Sequence, residues 1–300
     1  MSTLHDLPQH VFAMIESGVV AEFSTVTAAG MPIDTPTYYF PADDMSTLDL
    51  ATGLPNPAKA ERARRNSKVG LLIEGRPEEP LVVVRAHAAV RDRDIQANAI
   101  RYLAETGYKG ISHGITWEQA RLAVTYWSRI IIENKPERIY WWDNHAALDR
   151  PPQVWNAAPG IVYPQSDPAP AGNMSASAWP VRGWRDVAQD AVNSGNAAHL
   201  SVLDEDGFPL PMRTRSFEVT EQGFRLMMPK SPSRPCRTGT RLRPYLLPLL
   251  ILGACPPQPR THTIPHHEAW RIWPLLSGSG VYANSDGDSN CLSNQLHSSD

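Results

Sequence analysis

A short basic segment carries the most specific chemistry in this sequence. Thr52 is followed by Asn56 and Pro57, then by Lys59, with Arg62 three residues further on. Asn is a common helix N-cap and Pro is favoured at the first helical position, so the segment predicts a helix that begins here. The free amides of its first turn, the helix dipole and the two cations would all face one anion. We therefore expect a phosphate site, to which the Thr52 hydroxyl adds a donor; a solvated basic helix is the alternative.

The segments around this helix look like short strands separated by turns. The runs with strand character are 19–27, 32–40, 48–52, 69–73, 81–90, 129–134 and 138–143. Further helices are expected after Asp6, over 94–105 and over 117–126. This order differs from the strict strand–helix alternation of a doubly wound sheet. It predicts a mainly β (α+β) fold, an antiparallel split β-barrel with flanking helices, over residues 1–150.

The second half of the chain predicts a linker, a partial repeat and a tail. Residues 151–178 are rich in Pro, Ala, Gly and Ser, which is typical of a linker. The sequence of residues 17–33 is partly repeated at 194–210 with a constant offset of 177, and six of these 17 positions are identical. This predicts a partial second copy of the barrel over 179–230, with chance similarity of two hairpins as the alternative.

The tail, residues 231–300, shows neither helical nor strand periodicity. It is expected to have little structure, and it is either a disordered tail or an off-frame stretch.

Three stretches of the barrel segment resemble a known family. Lys59-Ala60 is followed by Asn seven residues after the Lys and then by an apolar strand; the hairpin around Gly30-Met31-Pro32 and the closing strands at 129–142 also fit. In their order and spacing they resemble the pyridoxamine-phosphate-oxidase-like, or flavin-reductase-like, FMN-binding split barrels. The resemblance covers about residues 8–143 and, weakly, 184–228.

The resemblance implies a cofactor and its position. The cofactor would be FMN, or in some branches a deazaflavin or heme, bound at an interface between two protomers. Thr52 and Lys59 would hold the phosphate, whereas Arg62 is added from helix geometry alone. The second-strand residues Thr37, Tyr38 and Tyr39 would border the ring system. In this family the flavin carries the chemistry and no catalytic side chain is fixed. The catalytic residue of this sequence is therefore unknown.

Several functions are compatible with this interpretation. The first is an FMN-dependent oxidoreductase that acts on a small organic substrate, as a homodimer or as an intrachain pseudo-dimer. The second is a flavin- or heme-binding protein of the same fold without redox turnover, for heme utilisation or sensing. The third is an inactive, truncated duplicate.

Composition argues against other classes of partner. The formal net charge of −3 gives no basic field for nucleic acid. The longest apolar run, 245–255, is shorter than the roughly 20 residues that a membrane helix needs. The histidines at 262, 266 and 267 lack the spacing of a zinc-protease motif, so no metal site is predicted. With no secretory signal at the first residues, we expect a cytoplasmic protein.

Overall fold

The fold was analysed in a computed structural model, which describes residues 3–18, 20–54, 56–105, 128–171, 183–194, 197–221 and 223–230. The helix expected at 117–126 and the tail 231–300 lie outside the described residues. The chain divides into two compact units. Of the described residues, the first unit holds those between 3 and 171, 201–212 and 230, and the second holds those between 183 and 200 and between 213 and 229.

Six antiparallel strands of the first unit form a closed barrel. They are β1 (Val20–Val26), β2 (Pro32–Pro41), β3 (Leu48–Gly53), β4 (Lys68–Glu74), β5 (Leu81–Arg91) and β6 (Arg129–Trp142). Their order is β3-β2-β1-β4-β5-β6, and a further pairing of β3 with β6 closes the barrel. The mainly β, antiparallel barrel predicted from the sequence is confirmed.

Alternation along the strands separates an inner face from an outer face. Phe23, Leu50, Leu71, Val84 and Ile132 all point inward and are fully buried in one continuous core. Successive side chains of a strand point to opposite sides, so the residues between them form the outer face. Gly30 takes a φ of +79° in the turn between β1 and β2, as expected for a residue without Cβ.

In the part of the chain that the structure describes, three helices flank the barrel: α1 (Gln9–Glu16), α2 (Ala58–Arg65) and α3 (Ile95–Glu105). Helix α2 contributes Ala60 and Ala63 to the barrel core. Helix α1 buries Val11, Met14 and Ile15 in the same core.

The predicted start of the basic helix is wrong by one residue. Helix α2 begins at Ala58, Pro57 is its N-cap, and no side chain caps it. Asn56 instead belongs to a turn, in which its amide donates to the Gly53 carbonyl at 2.9 Å. Because that turn holds the Asn56 backbone, its side chain does not act as the cap.

The two closing strands predicted around Lys135-Pro136 are one continuous strand. In β6, Arg138 lies opposite Arg85 and Pro136 lies opposite Ala86, so Glu137 is an extra residue in the ladder. A β-bulge of this kind leaves one residue unpaired and tolerates a proline, which has no amide hydrogen to donate. The proline therefore bends the strand and does not end it.

Part of the predicted linker 151–178 has a defined structure. Strand β7 (Gln153–Asn156) pairs antiparallel with β6 along the edge of the sheet. Further on, the Asp167 carboxylate accepts the backbone amides of Asp92 and Arg93, both at 3.1 Å. These contacts attach much of the segment to the barrel.

The remaining elements follow the linker. They are α4 (Trp184–Ser194), β8 (His199–Leu203), β9 (Pro209–Arg213), β10 (Ser216–Thr220) and β11 (Gly223–Met227). In the second unit, β10 pairs antiparallel with β11, and Thr214 donates its hydroxyl to the Ala198 carbonyl at 2.9 Å. Among the described residues, no helix is long and apolar enough to cross a membrane.

Candidate functional site

The candidate site is built where helix α2 meets the inner face of β1 and β2. Lys59, in the first turn of the helix, donates from Nζ to Thr37 Oγ1 at 3.3 Å. Arg62, one turn later, donates from Nε to Thr25 Oγ1 at 2.7 Å. Thr25 and Thr37 share a face of the two paired strands, so both cations are held over the same patch of the barrel.

A third cation lies close to these two. Arg129 begins β6 and is buried, with its guanidinium 4.8 Å from the centre of the Tyr102 ring. Its position opposite Gly53 brings it to the end of β3, the strand that leads into helix α2. The first residues of the helix therefore lie in a cluster of positive charge.

The lowered pKa of Lys59 shows that the positive charges of this cluster repel one another. Burial, followed by the charges of Arg62 and Arg129, lowers the pKa of Lys59 to about 8 from 10.5. Within the described part of the chain, Lys59 forms no ion pair with a carboxylate. A bound anion would relieve both causes, because it would stabilise the charged ammonium.

The backbone at the helix start adds further donors. The first intrahelical hydrogen bond runs from the Glu61 amide to the Pro57 carbonyl, at 3.0 Å. The amides of residues 58–60 precede it, and no side chain caps them. Such amides are the groups that bind phosphate at helix N-termini.

Thr52 does not present its hydroxyl to this cluster. It is buried at the end of β3, where Oγ1 donates to the Asn56 carbonyl at 2.8 Å. In this arrangement Thr52 shapes the turn before the helix, and the threonines that meet the cations are Thr25 and Thr37.

The two tyrosines that were expected to border a ring system lie in different places. Tyr39 is fully buried under helix α1, where its hydroxyl donates to the Ile15 carbonyl at 2.8 Å. Tyr38 points to the opposite face and is 47% exposed, with its ring 6.5 Å from that of Phe40. Of the two, only Tyr38 has a surface that another molecule can contact.

Two members of the site, Thr25 and Arg129, were not found from the sequence. Thr25 and Thr35 point inward beside the core positions Phe23 and Tyr39, and these polar interruptions were an available signal. Thr35 Oγ1 is buried and has no hydrogen-bond partner in the part of the chain that the structure describes. Arg129 gave no local signal, because it reaches the site only through the closure of β6 on β3.

The described residues contain no group of His, Cys, Asp and Glu that could hold a metal ion. His87 bonds to Glu137 at 2.8 Å and packs on the Tyr163 ring. It therefore has a structural role on the outer face of β5.

No protein-family model and no curated protein matches the chain. Among solved structures, a protein from Clostridium acetobutylicum related to general stress protein 26, of the pyridoxinephosphate oxidase family, is 12% identical over 51% of this chain and 93% of its own, with a TM-score of 0.37.

Two further structures carry different descriptions. A pyridoxamine 5'-phosphate oxidase-related, FMN-binding protein from Nostoc punctiforme is 12% identical over 41% of this chain and 73% of its own, with a TM-score of 0.32. An F420 reductase is 15% identical over 44% of this chain and 98% of its own, with a TM-score of 0.33.

Proposed function

We propose that the barrel binds FMN and that the protein is a flavin-dependent oxidoreductase acting on a small organic substrate. The phosphate would lie at the start of helix α2, where Lys59 and Arg62 face it together with the amides of residues 58–60. The observation that carries the proposal is Lys59, whose buried ammonium has no acidic partner among the described residues and lies beside two arginines.

Charge balance favours a phosphate over a neutral ligand. Like charges held together out of water destabilise the folded chain unless an anion compensates them. A phosphate carries up to two negative charges and several acceptor oxygens, so it can accept from an ammonium, a guanidinium and backbone amides at once. The hydroxyl of Thr37 keeps the Lys59 ammonium at the barrel wall, 3.3 Å away, and so limits the positions that the ammonium can take.

The residues of the chain would bind and orient the cofactor. When bound, FMN supplies reversible hydride transfer, which amino-acid side chains cannot carry out. Lys59 and Arg62 would anchor one end of such a molecule at the helix start, while the exposed Tyr38 ring lies on the other face of β2. Thr25 orients Arg62 through its 2.7 Å hydrogen bond and so fixes the direction of the guanidinium.

The experiment is to purify the chain with saturating FMN, remove the excess, and follow the flavin absorbance under anaerobic conditions. We expect a yellow protein whose flavin bands are bleached by a reduced nicotinamide. A protein that retains flavin whose bands are not bleached by the reduced nicotinamide would refute the oxidoreductase role. A Soret band in the protein as purified would show that the bound cofactor is heme and not FMN.

A further inference from the structure

The hairpin that joins β8 and β9 is built like the hairpin that joins β1 and β2. Gly30 and Gly207 occupy equivalent positions of the 177-residue repeat and have φ values of +79° and +82°. The Thr27 and Asp204 amides each donate to the carbonyl four residues ahead, at 2.8 Å and 2.9 Å. Their carbonyls accept the amides of the two glycines, at 3.0 Å and 3.1 Å. The sequence repeat is thus matched by a repeat of backbone structure.

The two hairpins meet at equivalent residues. Ser24 Oγ lies 2.9 Å from Ser201 Oγ, and these two serines are separated by 177 residues. The Ser201 hydroxyl also donates to the Asp34 carboxylate of β2. In a symmetric pair, a residue touches its own equivalent where the two-fold axis passes. The Ser24–Ser201 contact therefore marks a local pseudo-two-fold axis within one chain.

Apolar side chains on the outer face of the barrel are covered by the second hairpin. Phe208 and Leu210 are almost completely buried against Leu72, Val83 and Tyr140. These barrel residues lie on β4, β5 and β6 and point away from the barrel core. The hairpin therefore occupies the face that an unduplicated barrel would have to cover with a second copy.

Charges hold the hairpin in one orientation on this face. Arg85, which is buried, pairs with Asp204 at 2.9 Å and with Asp206 at 3.0 Å. Its guanidinium lies 4.1 Å from the centre of the Phe208 ring. One arginine thus contacts three hairpin side chains, which makes the docking specific and not merely apolar.

We propose that Ser201–Met212 acts within the chain as the partner hairpin of a pseudo-dimer, occupying the outer face of the barrel on which a second copy would otherwise dock. The chain then works as one asymmetric unit with a single anion site. The number of sites rests on the proposed function, whereas the docking of the hairpin does not.

The matched part of the repeat ends before the anion site. It covers residues 17–33 and 194–210, whereas Lys59 and Arg62 of the first copy lie beyond it. The second copy is therefore defined only as a docking hairpin, and the proposed anion site is counted in the first copy alone.

Disulfide trapping tests the docking. In a background with C236S, C255S and C291S, we expect the S24C/S201C pair to form an intrachain disulfide, because its two sulfurs would replace oxygens 2.9 Å apart. The protein should keep the mass of one chain on a non-reducing gel and lose two free thiols. The S24C single variant is the control and should stay a free thiol. A covalent dimer of S24C, or no intrachain disulfide in the pair, would overturn the proposal.

A double-mutant cycle on the same contact tests the docking independently, in case the cysteine variants do not fold. In S24A, S201A and S24A/S201A, we expect the Tm loss of the double variant to be smaller than the sum of the single losses. Additive losses would contradict the contact. Neither test involves flavin, so both stand if FMN does not bind. One FMN per chain at saturation is expected, and two per chain would exclude the single site.

Discussion

Replacing Lys59 with methionine should stabilise the flavin-free protein and weaken its binding of FMN. Methionine keeps the length and the apolar stem of the side chain but removes the charge. In the empty protein this charge lies between Arg62 and Arg129, and burial lowers its pKa to about 8. The charge therefore destabilises the folded state without ligand, and it is available to stabilise a bound phosphate.

The size of the first effect follows from the pKa of Lys59. A fall from 10.5 to about 8 corresponds to roughly 3 kcal/mol at 1.36 kcal/mol per pKa unit. The Lys59 ammonium is enclosed, but the residue as a whole is only half-buried, so solvent screens part of this repulsion and we expect K59M to raise the free energy of unfolding by about 1–2 kcal/mol. The second effect is the loss of a charge-assisted hydrogen bond, about 1.5–3 kcal/mol, which weakens FMN roughly 10- to 150-fold.

Both quantities are measurable on the same preparations. Urea unfolding of the flavin-free protein gives the stability, and a fluorescence titration with FMN gives the affinity. R65M is the matched control, because Arg65 is an exposed cation of the same helix with no ion pair among the described residues. We expect R65M to change either quantity little. A flavin-free K59M that is less stable than the parent, or one that binds FMN as tightly, would refute the reasoning.

Three further outcomes are expected. FMN affinity should fall by up to tenfold per pH unit as pH rises from 8 toward 10, because the free protein has lost the Lys59 proton that the phosphate complex needs; a flat titration across this range would count against Lys59 as a ligand. Gly70→Ala should lower the free energy of unfolding by about 1–3 kcal/mol, since an added methyl would overlap the Pro209 carbonyl, and an unchanged urea midpoint would contradict the packing. Limited proteolysis should cut between Pro229 and Gly253 and leave a core that still binds FMN, whereas loss of flavin on cleavage would show that the tail belongs to the site.

The barrel was predictable because its strands carry their own signals. The strand-forming runs that contain Phe23 and Leu71, together with Gly30 in the first turn, indicate where the strands lie and where the chain reverses. Pro136 misled the prediction, because a proline at a bulge costs no ladder hydrogen bond and cannot be told from a strand end without the partner strand.

The candidate site was predictable only in its local part. Lys59 and Arg62 share a helix face, and that relation can be read from their spacing. Arg129 comes to the same place through the pairing of β6 with β3, between residues far apart in sequence. Tyr39 shows the reverse case: it sits next to Tyr38 in sequence, yet the alternation of β2 sends it into the core.

The central claim, that this chain holds a flavin through its phosphate at the start of helix α2, is tested most directly by titrating the flavin-free protein with FMN and with riboflavin. The two ligands share the ring system and differ in the phosphate. We predict saturable binding of FMN and binding of riboflavin at least tenfold weaker, with a smaller difference between the two ligands in K59M. Equal affinity for FMN and riboflavin in the unmodified protein would contradict the account.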